Sequence, residues 1–270
     1  MKKSLLVLAG AVALAGSATA ADMPAAYKAL PPAPVFAWTG CYVGGNIGAA
    51  FDRSDFSTVL SPGVPGANHL GSASRGDVNA FFPVSGESTG FTGGGQVGCN
   101  WQSGAFVAGL EGDFNFSGAK PSVTTNGLVG FSFSATNSLK TDWFATIRPR
   151  LGWASDTTLF YATGGLAVAR LKYDLVYTDT LPDAIGGASG AQTRLGWTVG
   201  GGIEHAVNRN WTVKVEYLYS KFNSVAATGV ISTQSIGPFT NVVDGSGDLR
   251  MQVVRVGFNY KFGSPVVAKY

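Results

Sequence analysis

Polar and apolar side chains alternate with a period of two along most of this chain, and this feature limits its possible folds most strongly. Val213, Val215 and Tyr217, for example, alternate with Lys214 and Glu216. This period places the two sets on opposite faces of a β-strand. A soluble sandwich would bury the apolar face and leave the polar face wet, whereas here several polar faces carry charges and the apolar faces carry Trp, Phe and Tyr. The pattern favours an inside-out barrel.

Seven stretches have this texture, and an eighth at 159–171 is strand-like but apolar on both faces, so its two sides are left unassigned. The connections between the eight alternate between long and short. Each stretch is about long enough to cross a bilayer at a tilt, ~9–11 residues. The sequence therefore predicts an all-β fold: an eight-stranded antiparallel up-and-down transmembrane β-barrel with four long extracellular loops and three short periplasmic turns. The strands are placed near residues 41–51, 96–101, 106–116, 141–153, 159–171, 194–205, 211–219 and 254–262, the long loops at 52–89, 118–139, 174–192 and 223–248, and the short turns at 102–104, 154–157 and 208–210. Within the second long loop, Asn126-Gly127 predicts the turn of a β-hairpin, and a disordered loop rich in serine and threonine is the alternative.

The tryptophans lie near the ends of the predicted strands. Indole rings at the level of lipid headgroups keep the ring in apolar surroundings and the N–H in water. We therefore expect aromatic girdles at both membrane surfaces. Trp38, Trp101, Trp153 and Trp211 lie beside the short turns or the leader, and Trp143 and Trp197 lie beside the long loops.

The N-terminal residues have the pattern of a secretory signal peptide. Lys2 and Lys3 precede an apolar run, and a small-x-small cleavage pattern follows at Ala18-Thr19-Ala20. We divide the chain into a signal peptide at 1–20, a proline-rich leader at 21–37 and a barrel domain at 38–270. The formal net charge of only +3 argues against a nucleic-acid partner.

Several short motifs, in this order and spacing, resemble those of a known family. They are WTGCYVGG at 38–45, GGGQVG at 93–98, LEGD at 110–113, IRPRLG at 147–152, YATGGLA at 161–167 and RVGFNYKF at 255–262. The chain resembles the alphaproteobacterial outer-membrane immunogenic proteins, which are small OmpA-like barrels of the porin family. The resemblance implies a surface-exposed barrel of the outer membrane, with envelope and host-contact roles and no catalytic residues.

Charged residues on the inward faces form the clearest candidate site. An eight-stranded barrel is just wide enough for its own side chains to fill it, so these charges must pair. Two hypotheses remain open: a salt-bridged plug, or a narrow ion path lined by the same groups. The acidic members are Glu111, Asp113, Asp142, Glu204 and Glu216, and the basic members are Arg148, Arg150, Lys214, Arg255 and Lys261.

A second group of basic residues lies at the loop-side ends of the predicted strands. The four long loops carry nine carboxylates and only three basic groups. A basic rim beneath acidic loops suits contact with the phosphates of lipopolysaccharide, although solvated or snorkelling side chains are the alternative. The rim residues are Arg53, Lys140, Arg170, Lys172, Arg194, Lys221 and Arg250.

The two histidines favour neither a metal site nor a catalytic pair. His69 lies in the longest loop and His205 near a periplasmic strand end, on opposite membrane faces, so they cannot share a metal. A lipid hydrolase built on His69 with Ser61 or Ser72 has no supporting pattern. We expect no cofactor.

The leading functional hypothesis is a non-enzymatic structural and surface-contact barrel, and the alternative is a narrow porin for ions or small solutes. The expected partners are outer-membrane lipid and lipopolysaccharide, the barrel-assembly machinery during insertion, and host or surface ligands of the loops.

The two cysteines, Cys41 and Cys99, define a testable pairing. If residue 38 lies opposite residue 102, the same antiparallel register places Cys41 opposite Cys99. An exported protein permits oxidation, but directly paired strand cysteines are often strained, so a disulfide and two free thiols both remain possible. If the disulfide forms, non-reducing thiol labelling of the denatured protein will find no free thiol. Two labelled sites per chain would contradict it.

Overall fold

The computed structural model describes residues 36–262 except 182, 236 and 238. The predicted signal peptide at 1–20 and the leader up to residue 35 lie outside the described residues. Among the described residues, no helix is long and apolar enough to cross a membrane. The elements are β1 (Gly40–Pro62), α1 (Ser72–Asn79), β2 (Val84–Ser103), β3 (Phe106–Ser117), β4 (Ser122–Leu128), β5 (Ser132–Ser155), β6 (Thr158–Asp179), β7 (Ala184–Ala206), β8 (Trp211–Thr233) and β9 (Thr240–Phe262).

The strands close into an antiparallel ring, which confirms the predicted fold class. Strand order is β3-β2-β1-β9-β8-β7-β6-β5-β4, and β3 also pairs with β5. Both β3 and β4 therefore lie along β5: Phe116 is opposite Trp143, and Ser122 is opposite Ser138. The nine described strands thus form an eight-membered ring whose third member is interrupted near Pro121, which cannot donate to the ladder.

The loop boundaries from the sequence were wrong, because the strands continue far beyond them. The connections at that end, which we call the loop end, are only 63–83, 129–131, 180–183 and 234–239. Phe56 and Leu60 show why, since they continue the inward alternation of β1 and are buried. The signal was hidden because Ser54 and Thr58 also face inward while Val59 faces outward. The three turns at the other end, the short-turn end, are at 104–105, 156–157 and 207–210.

The predicted second loop is a β-hairpin whose turn lies later than expected. We predicted the turn at Asn126-Gly127, yet both residues belong to the ladder, opposite Ser134 and Phe133. The turn is at 129–131, where Gly130 has a φ of +84° that L side chains rarely adopt. The hairpin prediction is correct, but its centre is displaced by three to four residues.

Five of the six tryptophans are at least partly exposed on the outer face, as a girdle requires, and Trp38 is not. Trp38 is 1% exposed and packs inside the short-turn end against Val107, Leu159 and Tyr161. Its backbone N–H donates to Gln102 Oε1 at 2.7 Å, which holds it over the opening. Our assignment of Trp38 to the girdle was wrong because the segment before β1 folds inward.

The interior toward the loop end is apolar rather than aqueous. Leu218 and Val253 are the next inward residues after Glu216 and Arg255, and both are buried in a large apolar cluster. This cluster continues through the long strands and also takes up Leu70 from the first connection. The interior toward the loop end is therefore mainly apolar, with scattered buried polar groups such as Asp52, Asn137 and Asn241.

Candidate functional site

Eight of the ten predicted lumen charges converge inside the barrel. They are supplied by β3, β5, β7, β8 and β9, and each is at most 6% exposed. The inward period of each strand places them there, because alternate side chains of a strand point to the same face. The eight are Glu111, Asp113, Arg148, Arg150, Glu204, Lys214, Glu216 and Arg255, whose four carboxylates balance their four basic groups.

Arg148 and Arg255 occupy the centre of this charge cluster. Arg148 Nη2 lies 2.8 Å from Glu111 Oε1 and 2.9 Å from Asp113 Oδ2. Arg255 Nη2 lies 2.6 Å from Glu216 Oε2 and 3.2 Å from Asp113 Oδ2. The two guanidinium groups thus share Asp113. Such charge-assisted bonds are among the stronger hydrogen bonds in proteins.

Cross-strand register accounts for part of the cluster. Glu111 is directly opposite Arg148, and Glu216 is directly opposite Arg255. Lys214 is opposite Glu204, but its Nζ reaches across the barrel to Glu111 Oε1 at 2.7 Å. The cluster therefore connects strands that are not neighbours in the ring.

Two tyrosines belong to the same cluster and were missed in the sequence. The Arg150 guanidinium lies 5.0 Å from the Tyr42 ring centroid and 5.1 Å from that of Tyr161. Tyr42 donates its hydroxyl hydrogen to Glu111 and Tyr161 donates to Glu216 Oε1. Tyr42 could have been found from the alternation with Cys41 and Val43. Tyr161 lies in the stretch whose two faces the sequence left unassigned.

Asp142 and Lys261 do not join the cluster, so both assignments were wrong. A β-bulge between Thr141 and Trp143 turns Asp142 to the outer surface, where its carboxylate meets Lys172 Nζ at 2.8 Å. Lys261 has the inward register, but it lies at the strand end, where its Nζ donates to the Ala37 carbonyl. Neither a bulge nor a chain entering the opening is visible in the alternation.

Six of the seven predicted rim residues lie on outward registers and one does not. Arg194 is opposite Ala169, a fully buried inward residue, and its Nη2 donates to the Gln192 carboxamide. Its assignment to the outer rim was therefore wrong, because the local period places it inside. The six outward residues form two groups, Arg53, Lys221 and Arg250 on one side and Lys140, Arg170 and Lys172 on the other.

The structure joins Cys41 to Cys99 by a disulfide, and the two residues are directly opposite each other in β1 and β2. Their register matches the one that the sequence suggested. At the loop end, His69 Nε2 contacts Asp179 Oδ2 at 2.8 Å. His69 Nδ1 has no hydrogen-bond partner among the described residues. Within those residues, no group of three or more acidic, histidine or cysteine side chains is arranged to hold a metal.

A closed ring with an apolar outer belt and a charged interior defines a class: the protein is a β-barrel of the outer membrane. Residues 6–262 match the family model described as "Outer membrane protein beta-barrel domain", and the chain belongs to this family. It is therefore an outer-membrane protein of the Gram-negative type.

Relatives support this assignment over almost the whole chain. The 31 kDa outer-membrane immunogenic protein of Brucella melitensis biotype 1 is 35% identical over 270 residues, covering 96% of this chain and all of the relative. The 22 kDa outer membrane protein of Rhizobium leguminosarum bv. viciae is 35% identical over 133 residues, covering 48% of this chain and 53% of the relative. Among solved structures, Ail of Yersinia pestis has a TM-score of 0.36 at 11% identity, covering 83% of this chain and 99% of Ail.

The charge cluster predicts a large loss of stability when one central member is removed. Arg148→Met leaves Glu111 and Asp113 with less compensation in a buried site, which typically costs about 3–5 kcal/mol. Lys221→Met removes an exposed charge and serves as the control, with an expected change below about 0.5 kcal/mol. The free energy of unfolding is measured by urea titration of refolded protein in lipid. Equal stabilities of the two variants would contradict a structural role for the cluster.

Proposed function

We propose that this protein is a sealed, non-catalytic barrel that acts as a structural and surface-contact element of the outer membrane. The observation that carries the proposal is that three successive layers of side chains fill the interior. They are the Trp38 layer, the charge cluster and the apolar cluster toward the loop end. A filled barrel has no continuous aqueous path.

Each layer opposes ion passage for a different reason. At the short-turn end, the buried Trp38 indole would have to move aside. In the charge cluster, every charged group already has an opposite charge within 4 Å, so an ion would have to replace an existing pair. In the apolar cluster, an ion would lose most of its hydration, and only scattered polar groups such as Asp52 and Asn137 could replace it, which is costly.

The alternative function is a narrow porin, and the inward charges favour it. Under that alternative, water would enter between Arg148 and Arg255, and cations would pass through the barrel along the inward carboxylates. The apolar cluster beyond Leu218 and Val253 argues against it, because the same ions would then cross a dry layer.

Planar-bilayer recording of the refolded protein tests the seal. We expect conductance far below that of a 16-stranded porin recorded in the same bilayer, because such a porin encloses an open aqueous channel. The porin serves as the positive control, and the gel mobility of unheated protein verifies folding before reconstitution. Stable, porin-sized steps from folded protein would overturn the proposal.

A contact role is supported by the long strands at the loop end. They carry the wall of the barrel well past the outward charges Lys140 and Lys172, and all of the connections at this end are short except 63–83, which contains α1. The names of the immunogenic relatives agree with surface exposure in those proteins. His69 bonds to Asp179 rather than to a serine hydroxyl, so no hydrolytic mechanism is proposed.

Epitope insertion tests which end of the barrel faces outward. A tag inserted after Gly130, whose added Cβ would meet no atom within 4 Å, should bind antibody on intact cells. A matched tag in the turn at 156–157 should bind only after the cells are permeabilised. The reverse pattern would contradict the proposed orientation.

A further inference from the structure

The outer surface carries a cluster of three basic side chains gathered around one carboxylate, which we call the β5–β6 basic cluster. Lys140 of β5 is directly opposite Lys172 of β6, and Arg170 lies two residues from Lys172 on the same face. Like charges in directly opposite positions of a sheet destabilise it. Asp142 contacts both lysines, with distances of 2.8 Å to Lys172 Nζ and 3.7 Å to Lys140 Nζ.

A β-bulge builds this arrangement. The ladder between β5 and β6 shifts register between Thr141 and Trp143, so one extra residue, Asp142, enters the outer surface. Bulges re-aim side chains in this way. As a result Lys140, Asp142 and Trp143 all contribute to the same outer surface, which a regular alternation does not permit.

The cluster keeps an uncompensated charge. It contains three cations and one carboxylate, and the side chains of Lys140 and Lys172 are 50% and 47% exposed. Among the described residues, Arg170 has no carboxylate within the 4 Å of an ion pair. These four groups carry a net charge of +2. Asp174, the next outward residue of β6, lies beyond ion-pair distance of these cations and lowers the net charge of the wider patch to +1.

The other outward basic group is neutralised by the protein itself. Arg53, Arg250 and Lys221 are directly opposite one another across β1, β9 and β8. Arg53 pairs with Glu87 at 2.9 Å, and Arg250 pairs with Asp55 at 2.6 Å and lies 3.7 Å from Asp248. Three carboxylates thus balance three cations here. The two groups differ in charge while sharing the same residue types and exposure.

Apolar surface adjoins the β5–β6 basic cluster on the membrane side. Trp143, the next outward residue, stacks on Phe114 with ring centroids 5.4 Å apart. Phe114 and Phe116 line an outer groove of about 480 Å³ that continues to Val43 and Val97. A cationic patch that is linked through Trp143 to a neighbouring apolar groove matches a molecule with an anionic head and acyl chains.

We propose that Lys140, Arg170 and Lys172 bind a phosphate group of a phosphorylated glycolipid of the outer leaflet, with an acyl chain in the groove beside Phe114. Lysine and arginine bind phosphate through charge-assisted hydrogen bonds. The lipid phosphate supplies the counter-charge that Asp142 alone does not. This site is independent of whether the barrel interior conducts.

The test measures lipid binding to refolded full-length protein in neutral detergent micelles by native mass spectrometry. The probe is diphosphoryl lipid A, compared with dephosphorylated lipid A and with phosphatidylglycerol. The triple variant Lys140→Gln, Arg170→Gln, Lys172→Gln should bind diphosphoryl lipid A about tenfold more weakly than the unmodified protein. The control triple Arg53→Gln, Lys221→Gln, Arg250→Gln changes the net charge equally and should bind within about twofold.

A single variant with the opposite expected effect on lipid binding tests the proposal if the triple variant fails to fold. Asp142→Asn retains all three cations and should tighten binding of diphosphoryl lipid A, since it removes the competing carboxylate. The proposal is overturned if both triples weaken binding equally, if neither does, or if Asp142→Asn weakens it. Equal binding of dephosphorylated lipid A would exclude a phosphate site, and equal binding of phosphatidylglycerol would exclude a glycolipid site.

Discussion

Closure of the backbone hydrogen-bond ring is the constraint on which the rest of the structure depends. In the apolar part of a membrane no water is present to satisfy an exposed N–H or C=O, so the sheet can have no free edge there. The pairings of β1 with β9 and of β3 with β5 meet this requirement. One strand of the ring is interrupted where β3 ends and β4 begins, near the level of the outward lysines.

Closure also decides the chemistry of the interior. A ring of this size encloses a volume that side chains must fill, and the inward faces bring together groups that are distant in sequence. Because isolated buried charges are very costly, the eight residues of the charge cluster occur together and in equal numbers of each sign, whereas Asp52 is buried apart from them. Mainly apolar side chains lie on both sides of this cluster.

The sequence predicts the parts of the molecule that follow a strict period of two. Strand identity, the inward register of Glu111 and Arg148, and the alignment of Cys41 with Cys99 all follow from that period. The prediction from sequence fails where this period is interrupted. The bulge at Asp142 is the clearest case, because one extra residue transfers a carboxylate to the opposite face. The positions of Trp38 and Lys261 depend on the segment before β1, which enters the opening of the barrel. The position of Arg194 depends on the first part of β7, which the sequence did not identify as strand because its residues are small.

The contact between Asp113 and Arg255 has a consequence for how the barrel is made. Asp113 lies on β3 and Arg255 on β9, so this ion pair spans β1 and β2 and bridges the seam where the first and last strands meet. Until β1 pairs with β9, the two charges have no reason to approach, and an open sheet would expose both. The interior charges are therefore paired only in the completed ring and remain unpaired in a barrel that lacks the last strand pairing. This ion pair stabilises the final step of barrel assembly.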